Sequence, residues 1–286
     1  MKNWLELKQE FIEGLKGIYE LGEAEQIFHL FIEDLFELSR INYSFEKNNV
    51  PENKIITKIN SILIDLKTNK PIQHILGYAY FFERRFKVSK DVLIPRQETE
   101  ELVDYILKKH SEKNLEVLDI GTGTGSIPIS LKLECPGFNV MSVDVSKKAL
   151  AIARENAKTL KAEVDLEQVD ILDEQAWMFV DEHSLDIVVS NPPYVRELEK
   201  KLMHKNVVDF DPELALYVSD KDPLVFYEKI SKFATKKLRK GGLLYFEINE
   251  AYGEEVKALM QKRSFSNVNI IKDLQEKDRF VCGILN

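Results

Sequence analysis

The sequence predicts an α/β protein: a seven-stranded sheet domain preceded by a small α-helical domain and a β-hairpin linker. Three observations lead there. From Leu115 onward, short apolar runs alternate with amphipathic stretches, the pattern of a parallel sheet covered on both faces. Before Pro71, apolar residues instead recur every three or four positions, the period of helices. Between Pro71 and Pro95 lies an aromatic, β-prone block that fits neither pattern. The boundaries that follow are 1–70, 71–95 and 96–286.

Each element has a local reason. Trp4, Leu7, Phe11, Leu15 and Ile18 form one helical stripe, and Ile27, Leu30, Phe31, Leu35 and Leu38 a second. Phe28, Ile32 and Phe36 widen the second, which therefore packs on two sides. Pro51 suits the first turn of a third helix with stripe Ile55, Ile59, Ile62, Leu63 and Leu66. This region is too short to bury a large core alone. Tyr78, Tyr80, Phe81, Phe82, Phe86 and Val88, preceded by Gly77, read as a short hairpin. Pro95 then opens a helix through Leu107.

The expected strands are Leu115–Ile120, Val140–Val143, Val164–Val169, Leu185–Ser190, Leu243–Ile248, Val268–Ile271 and Phe280–Ile284. Helical patterns fill most gaps, as at Lys147–Leu160, Pro223–Leu238 and Glu254–Lys262. The loop before the last strand, around Asp273–Asp278, is too short for a helical crossover, so that strand is expected to run antiparallel. Seven strands ending in a reversed hairpin describe the Rossmann-like sheet of S-adenosylmethionine-dependent methyltransferases.

Two strand ends carry the chemistry. Gly121-Thr122-Gly123-Thr124-Gly125 follows the first sheet strand and precedes a helix. Glycine tolerates φ > 0 and lets a ligand approach the backbone, and the helix N-terminus offers unpaired N–H groups. Asp144 ends the next strand, about 20 residues on, where an acid can hold ribose hydroxyls. Ser126 replaces the last glycine of the dinucleotide pattern, which disfavours NAD and allows S-adenosylmethionine. The second end is Ser190-Asn191-Pro192-Pro193-Tyr194. Read locally it is a rigid turn with an Asn cap. Beside a nucleoside loop it becomes a holder for a planar NH2 group. The Asn191 carbonyl accepts one hydrogen bond, the stiffened prolines present the Pro192 carbonyl for another, and the Tyr194 ring lies against the amide with its hydroxyl in water.

Composition bounds the partners. The 286 residues are 44% hydrophobic and 31% charged, with a formal net charge of −8. That balance counts against nucleic acid as the direct substrate, because phosphate neutralisation needs a basic face. No apolar run approaches the roughly 20 residues of a membrane span, and the N-terminus lacks a signal-peptide core. Two distant cysteines and five histidines show no metal-ligand spacing, so no metal is expected. A reduced, cytoplasmic protein is the expectation. Smaller features keep ordinary readings. Glu247 either borders the pocket or, as is commoner for a strand-end acid, faces solvent. Thr99 and Glu100 flank the pocket or simply start a helix, and Arg96 pairs with an acid of its own segment.

Over nearly its whole length the chain resembles the release-factor glutamine methyltransferases. The resemblance is sharpest at Gln73-His74-Ile75-Leu76-Gly77, at Leu93-Ile94-Pro95-Arg96-Gln97-Glu98-Thr99-Glu100, at the glycine loop and at Asn191 to Tyr194. It implies methyl transfer from S-adenosyl-L-methionine to the side-chain amide of the glutamine in the Gly-Gly-Gln motif of peptide chain release factors. It implies a cofactor site at Gly121, Thr122, Gly123, Thr124, Gly125, Asp144, Ile171 and Asn191, and a glutamine-binding segment at Asn191, Pro192, Pro193 and Tyr194. Asn191, Pro192 and Tyr194 are then the catalytic group. Ile171 stands where some relatives have tryptophan, and Phe210-Asp211-Pro212 resembles a Phe-Glu-Pro segment bordering the pocket. The helical domain is expected to choose the substrate. The alternatives are a glutamine of a ribosomal protein, or a base amine of DNA or ribosomal RNA. An NAD-dependent oxidoreductase or a non-catalytic adaptor leaves Asn191 to Tyr194 without a role.

Overall fold

A computed structural model describes residues 2–110, 114–203 and 205–286; His204, one of the five histidines, lies outside them. The chain divides into two units, Met1–Gly77 with His204–Phe210, and Tyr78–Met203 with Asp211–Asn286.

The first unit is helical: α1 (Trp4–Leu15), α2 (Leu21–Phe36), α3 (Arg40–Glu46), α4 (Asn53–Lys67) and α5 (Ile72–Leu76). Asn3 starts α1 with a capping box, its side chain accepting from Glu6 N–H while Glu6 reaches back to the Asn3 N–H. The predicted stripes meet in one core around Phe11, Phe28 and Phe31, whose ring centroids lie 5.1–5.4 Å apart. Rings at that spacing, tilted or edge-on, add attraction beyond their buried area. Two stripes depart from their spacing. Gly17, at φ +84°, turns the chain before Ile18, which is 40% exposed, and Leu35 is left on the outer side of α2. Pro51 stands just ahead of the cap residue Glu52, outside the first turn of α4.

The second unit opens with β1 (Tyr78–Phe81) and β2 (Arg84–Lys87), an antiparallel hairpin. Its turn residues Phe82 and Glu83 both have positive φ, the pair a two-residue hairpin uses. Phe81 and Phe86 are buried with Leu102, Val103 and Ile106 of the next helix, so the hairpin belongs to the core of this unit. Asn156 bonds both the N–H and the carbonyl of Lys87, fastening the hairpin's end.

Then follow α6 (Gln97–His110), β3 (Glu116–Ile120), α7 (Ser126–Glu134), β4 (Asn139–Asp144), α8 (Lys147–Leu160), β5 (Asp165–Gln168), β6 (Leu185–Ser190) and β7 (Val195–Arg196). Next come α9 (Lys205–Phe210), which groups with the helical unit, α10 (Glu213–Leu216) and β8 (Tyr217–Val218). The chain closes with α11 (Val225–Lys237), β9 (Leu238–Glu247), α12 (Gly253–Lys262), β10 (Phe265–Lys272) and β11 (Asp278–Leu285). The sheet order is β10-β11-β9-β6-β3-β4-β5. β5, β4, β3, β6 and β9 run parallel to one another, and β11 is antiparallel to both β9 and β10, as its short connection predicts. Alternate residues feed two cores. Leu118, Val188 and Leu244 pack with α11 and α12 on one face, and Val117, Ile187, Val189 and Tyr245 with α6 and α7 on the other. The short β7–β8 pair has no sequence signal of its own.

Candidate active site

The parallel strands β3, β4 and β6 end on one side, which brings the two motifs together. Past Ile120 the backbone takes φ of +86°, +54° and +80° at Gly121, Gly123 and Gly125. These glycines do different jobs. A Cβ on Gly125 would come 2.8 Å from Ile129 Cδ1 and 3.2 Å from Ala153 Cβ, so this glycine lets α7 and α8 close. A Cβ on Gly123 would meet nothing within 4 Å. Asp144, at the end of β4, ties the loop down: Oδ2 accepts from Gly123 N–H at 3.0 Å and Oδ1 from Ser146 N–H at 2.8 Å. Burial pushes its carboxyl above the usual range, against the pull of those two donors. Each oxygen retains lone-pair capacity toward the space it borders.

That space is a cavity of about 320 Å³. Gly121, Thr122, Gly123, Thr124, Asp144, Ile171, Asn191, Pro192 and Pro193 all line it. Two residues proposed from sequence stand behind it. Gly125 lies at the helix start, and Tyr194 sits deeper than its wet-hydroxyl reading allows. The Tyr194 hydroxyl donates to Glu247 Oε1 at 3.2 Å, an internal acceptor that replaces water, and its burial holds the phenol well above the usual tyrosine range.

Glu247, expected either to border the pocket or to face solvent, does neither: it is buried behind the cavity lining. It ends β9, is 1% exposed, and its carboxyl is pushed up to about 7 by burial, with Thr99, Arg279 and Tyr194 pulling it back. Thr99 Oγ1 donates to Glu247 Oε2 at 2.7 Å, and Asn191 Nδ2 lies 3.2 Å from the same Thr99 oxygen. The available signal was an acid closing an apolar run, Leu243 to Phe246, at the carboxyl end of a strand. Arg96 pairs with Asp211 at 2.7 Å, an acid far along the chain and not one of its own segment. Burial pushes Asp211 up to about 6, against Arg96. Asp119, on β3 beneath the loop, is fully buried and pushed up to about 7, although Ser142 donates to it at 2.6 Å.

The loop fits a polar, nucleoside-bearing ligand. Thr122 lies near enough to steady the Asp119 carboxylate, but neither Thr122 Oγ1 nor Asp119 Oδ1 completes a hydrogen bond of good geometry with protein. Both atoms are buried, and the backbone of the loop leaves room for a ligand at Gly123. The lining also includes the apolar Ile120, Val143, Val169 and Ile171. Among the described residues no His, Cys, Asp or Glu group is arranged to hold a metal ion, and no helix is long and apolar enough to cross a membrane.

Comparison with known proteins bears on the family and the fold. A family model described as a methyltransferase small domain matches residues 97–210. The chain is 41% identical over 278 residues to the release factor glutamine methyltransferase of Flavobacterium psychrophilum, covering 96% of each chain. It is also 41% identical over 271 residues to the protein of that name from Bacteroides thetaiotaomicron, covering 95% of this chain and 96% of the other. A solved methyltransferase from Pyrococcus furiosus shares the fold at TM-score 0.53 and 18% identity, over 79% of this chain and 98% of that one.

Proposed function

The chain belongs to the release factor glutamine methyltransferase family, and we propose that it methylates the glutamine of the Gly-Gly-Gln motif in peptide chain release factors, at the side-chain amide nitrogen. The methyl donor in this reading is S-adenosyl-L-methionine, and the methylation tunes translation termination. The observation that carries the reading is the position of Asn191, lining the same cavity as the glycine loop and Asp144. A donor site and an amide-holding side chain share one space.

The donor supplies a strongly electrophilic sulfonium methyl group. The protein's task is alignment, because an amide nitrogen is a weak nucleophile with its lone pair delocalised into the carbonyl. Holding reactants in line can supply about 7–11 kcal/mol of barrier lowering. Gly121 to Thr124 and Asp144 would hold the donor, and Ile171 would give it an apolar contact. Asn191 Oδ1 and the Pro192 carbonyl accept the two amide hydrogens. Those bonds strengthen as positive charge develops on nitrogen, which favours the transition state over the ground state. Tyr194 backs this turn from behind. The helical domain, 1–70, selects the release factor, since a shared catalytic core cannot by itself choose among substrates. The protein works in the cytoplasm, where release factors act.

The test is methyl transfer with labelled S-adenosylmethionine to purified release factor and to its Gly-Gly-Gln glutamine-to-alanine variant. Label on the native factor alone is the expected result. Label on neither, with cofactor binding intact, moves the assignment to a ribosomal-protein or nucleic-acid substrate.

A further inference from the structure

We propose that Thr99 and Glu247 are positioning residues that fix which way the Asn191 amide faces, so that its oxygen and not its nitrogen meets the substrate. The inference rests on the amide-methylating reading of the site. It comes from donor–acceptor bookkeeping around one buried carboxylate. An ionised carboxylate only accepts hydrogen bonds. Glu247 Oε2 therefore takes the Thr99 hydroxyl proton at 2.7 Å, and Oε1 takes that of Tyr194 at 3.2 Å. With its single proton committed, Thr99 Oγ1 presents only lone pairs to Asn191. The Asn191 atom 3.2 Å from it must be the NH2 group. A flipped amide would set two acceptors against each other there, and would point N–H groups at a substrate that itself brings N–H groups.

The orientation of an Asn amide is often ambiguous; here a carboxylate two bonds of the network away decides it. Glu247 belongs to β9, Thr99 to α6 and Asn191 to the turn after β6, so three elements must be in register for the acceptor to be aimed. One carboxylate also serves both arms of the holder, Asn191 through Thr99 and Tyr194 directly.

An ionised Glu247 fixes this direction; a Glu247 protonated on Oε2 no longer does. A protonated Glu247 can donate to Thr99 Oγ1, which frees the Thr99 proton to bond Asn191 Oδ1 and turns the amide over. The charged and titratable groups around Glu247 are Arg279 from β11, Glu98 from α6, and the hydroxyls of Tyr194 and of Tyr227, the latter donating to the Glu247 backbone carbonyl. Arg279 favours the ionised form and Glu98 opposes it.

The experiment compares the wild type with Thr99→Val, Thr99→Ser and Glu247→Gln. Valine keeps the shape of threonine and removes the acceptor, and serine restores it. Thr99→Val should lower kcat about 30- to 100-fold, as misplacement of a reacting group does, with cofactor Kd close to wild type and a thermal midpoint lowered by the donor lost from buried Glu247; Thr99→Ser should recover most of both losses. Wild-type turnover should fall as Glu247 is protonated, and Glu247→Gln should lack that acid limb. An independent readout is the side-chain NH2 resonance pair of Asn191, assigned by its disappearance in Asn191→Ala. It should titrate with Glu247 in the wild type, be fixed in Glu247→Gln, and move in Thr99→Val. Turnover of Thr99→Val within about threefold of wild type, or an Asn191 pair indifferent to Thr99→Val, would overturn the proposal. A wild type that methylates no release factor defeats the substrate assignment instead, and the resonance readout still decides the network.

Discussion

The loop after β3 and the turn after β6 occupy equivalent places, each at the carboxyl end of a central parallel strand, and they are built in opposite ways. The first is backbone: three positive-φ glycines, open space at Gly123 and a carboxylate bonded to main-chain N–H. The second is side chain: two prolines stiffen it, and a buried network through Thr99 and Glu247 aims one carboxamide. A cofactor whose binding face is fixed can be met by the main chain, which offers the same groups whatever the residue. A substrate that must be held by two N–H groups at one angle calls for an acceptor whose direction is set from elsewhere.

The sharpest way to break the comparison is Asn191→Ala. Turnover should drop at least about 100-fold, the scale of losing one preorganised transition-state contact, while cofactor Kd changes far less; labelled transfer and calorimetry on the same sample decide it. Within the glycine loop, Gly123→Ala and Gly125→Ala should fail differently. Both pay about 1–2 kcal/mol for a left-handed non-glycine. At Gly123 the added methyl enters free space, so the loss should fall on cofactor affinity, roughly tenfold by titration. At Gly125 it meets Ile129 and Ala153, and the loss should be about 2–3 kcal/mol of stability in denaturant unfolding. Equal effects at both positions would erase the division of labour.

Smaller effects sharpen the side-chain half. Tyr194→Phe removes one donor from Glu247, worth about 1 kcal/mol. Turnover at neutral pH should fall roughly fivefold, and the acid limb should move to higher pH, because a carboxylate with fewer donors ionises less readily. The smallest expected effect is on stability. Asp119 and Glu247 are raised to about 7 and Asp211 to about 6 in the fold. The folded chain then binds protons more tightly than the unfolded one across roughly pH 4 to 7. Stability should rise as pH falls from 8 to 6, by a thermal midpoint shift on the order of 3 °C, and be lost as pH climbs through 7. Activity should run the other way. A midpoint that fell together with activity would sink this account of the buried acids.

The parallel sheet and both motifs were legible because their causes are local. An apolar run, a glycine loop and an acid ending the next strand all lie within some thirty residues, Leu115 to Asp144. The reversal of β11 was legible from loop length alone. The buried network was not. Thr99 and Glu247 are 148 positions apart and Asn191 is 92 from Thr99, and no spacing rule links them. A glutamate at a strand end looks the same in sequence whether it faces water or two hydroxyls. Tyr194 was misplaced for the same reason, since its acceptor arrives from another strand. The early end of the first stripe at Leu15 needed Gly17's positive φ, which the spacing of apolar residues does not report.

The place of β11, inserted between β9 and β10, also governs the order of assembly on a ribosome. β9 emerges with one edge bare, and that edge carries Leu243, Leu244, Tyr245 and Phe246. β10 follows before β11, the strand it pairs with, has been made. The nascent sheet therefore waits, with an apolar edge of the kind that recruits stray strands, until β11 arrives and both strands add together. A stalled or truncated chain that has made β10 and not β11 should be a preferred client of chaperones.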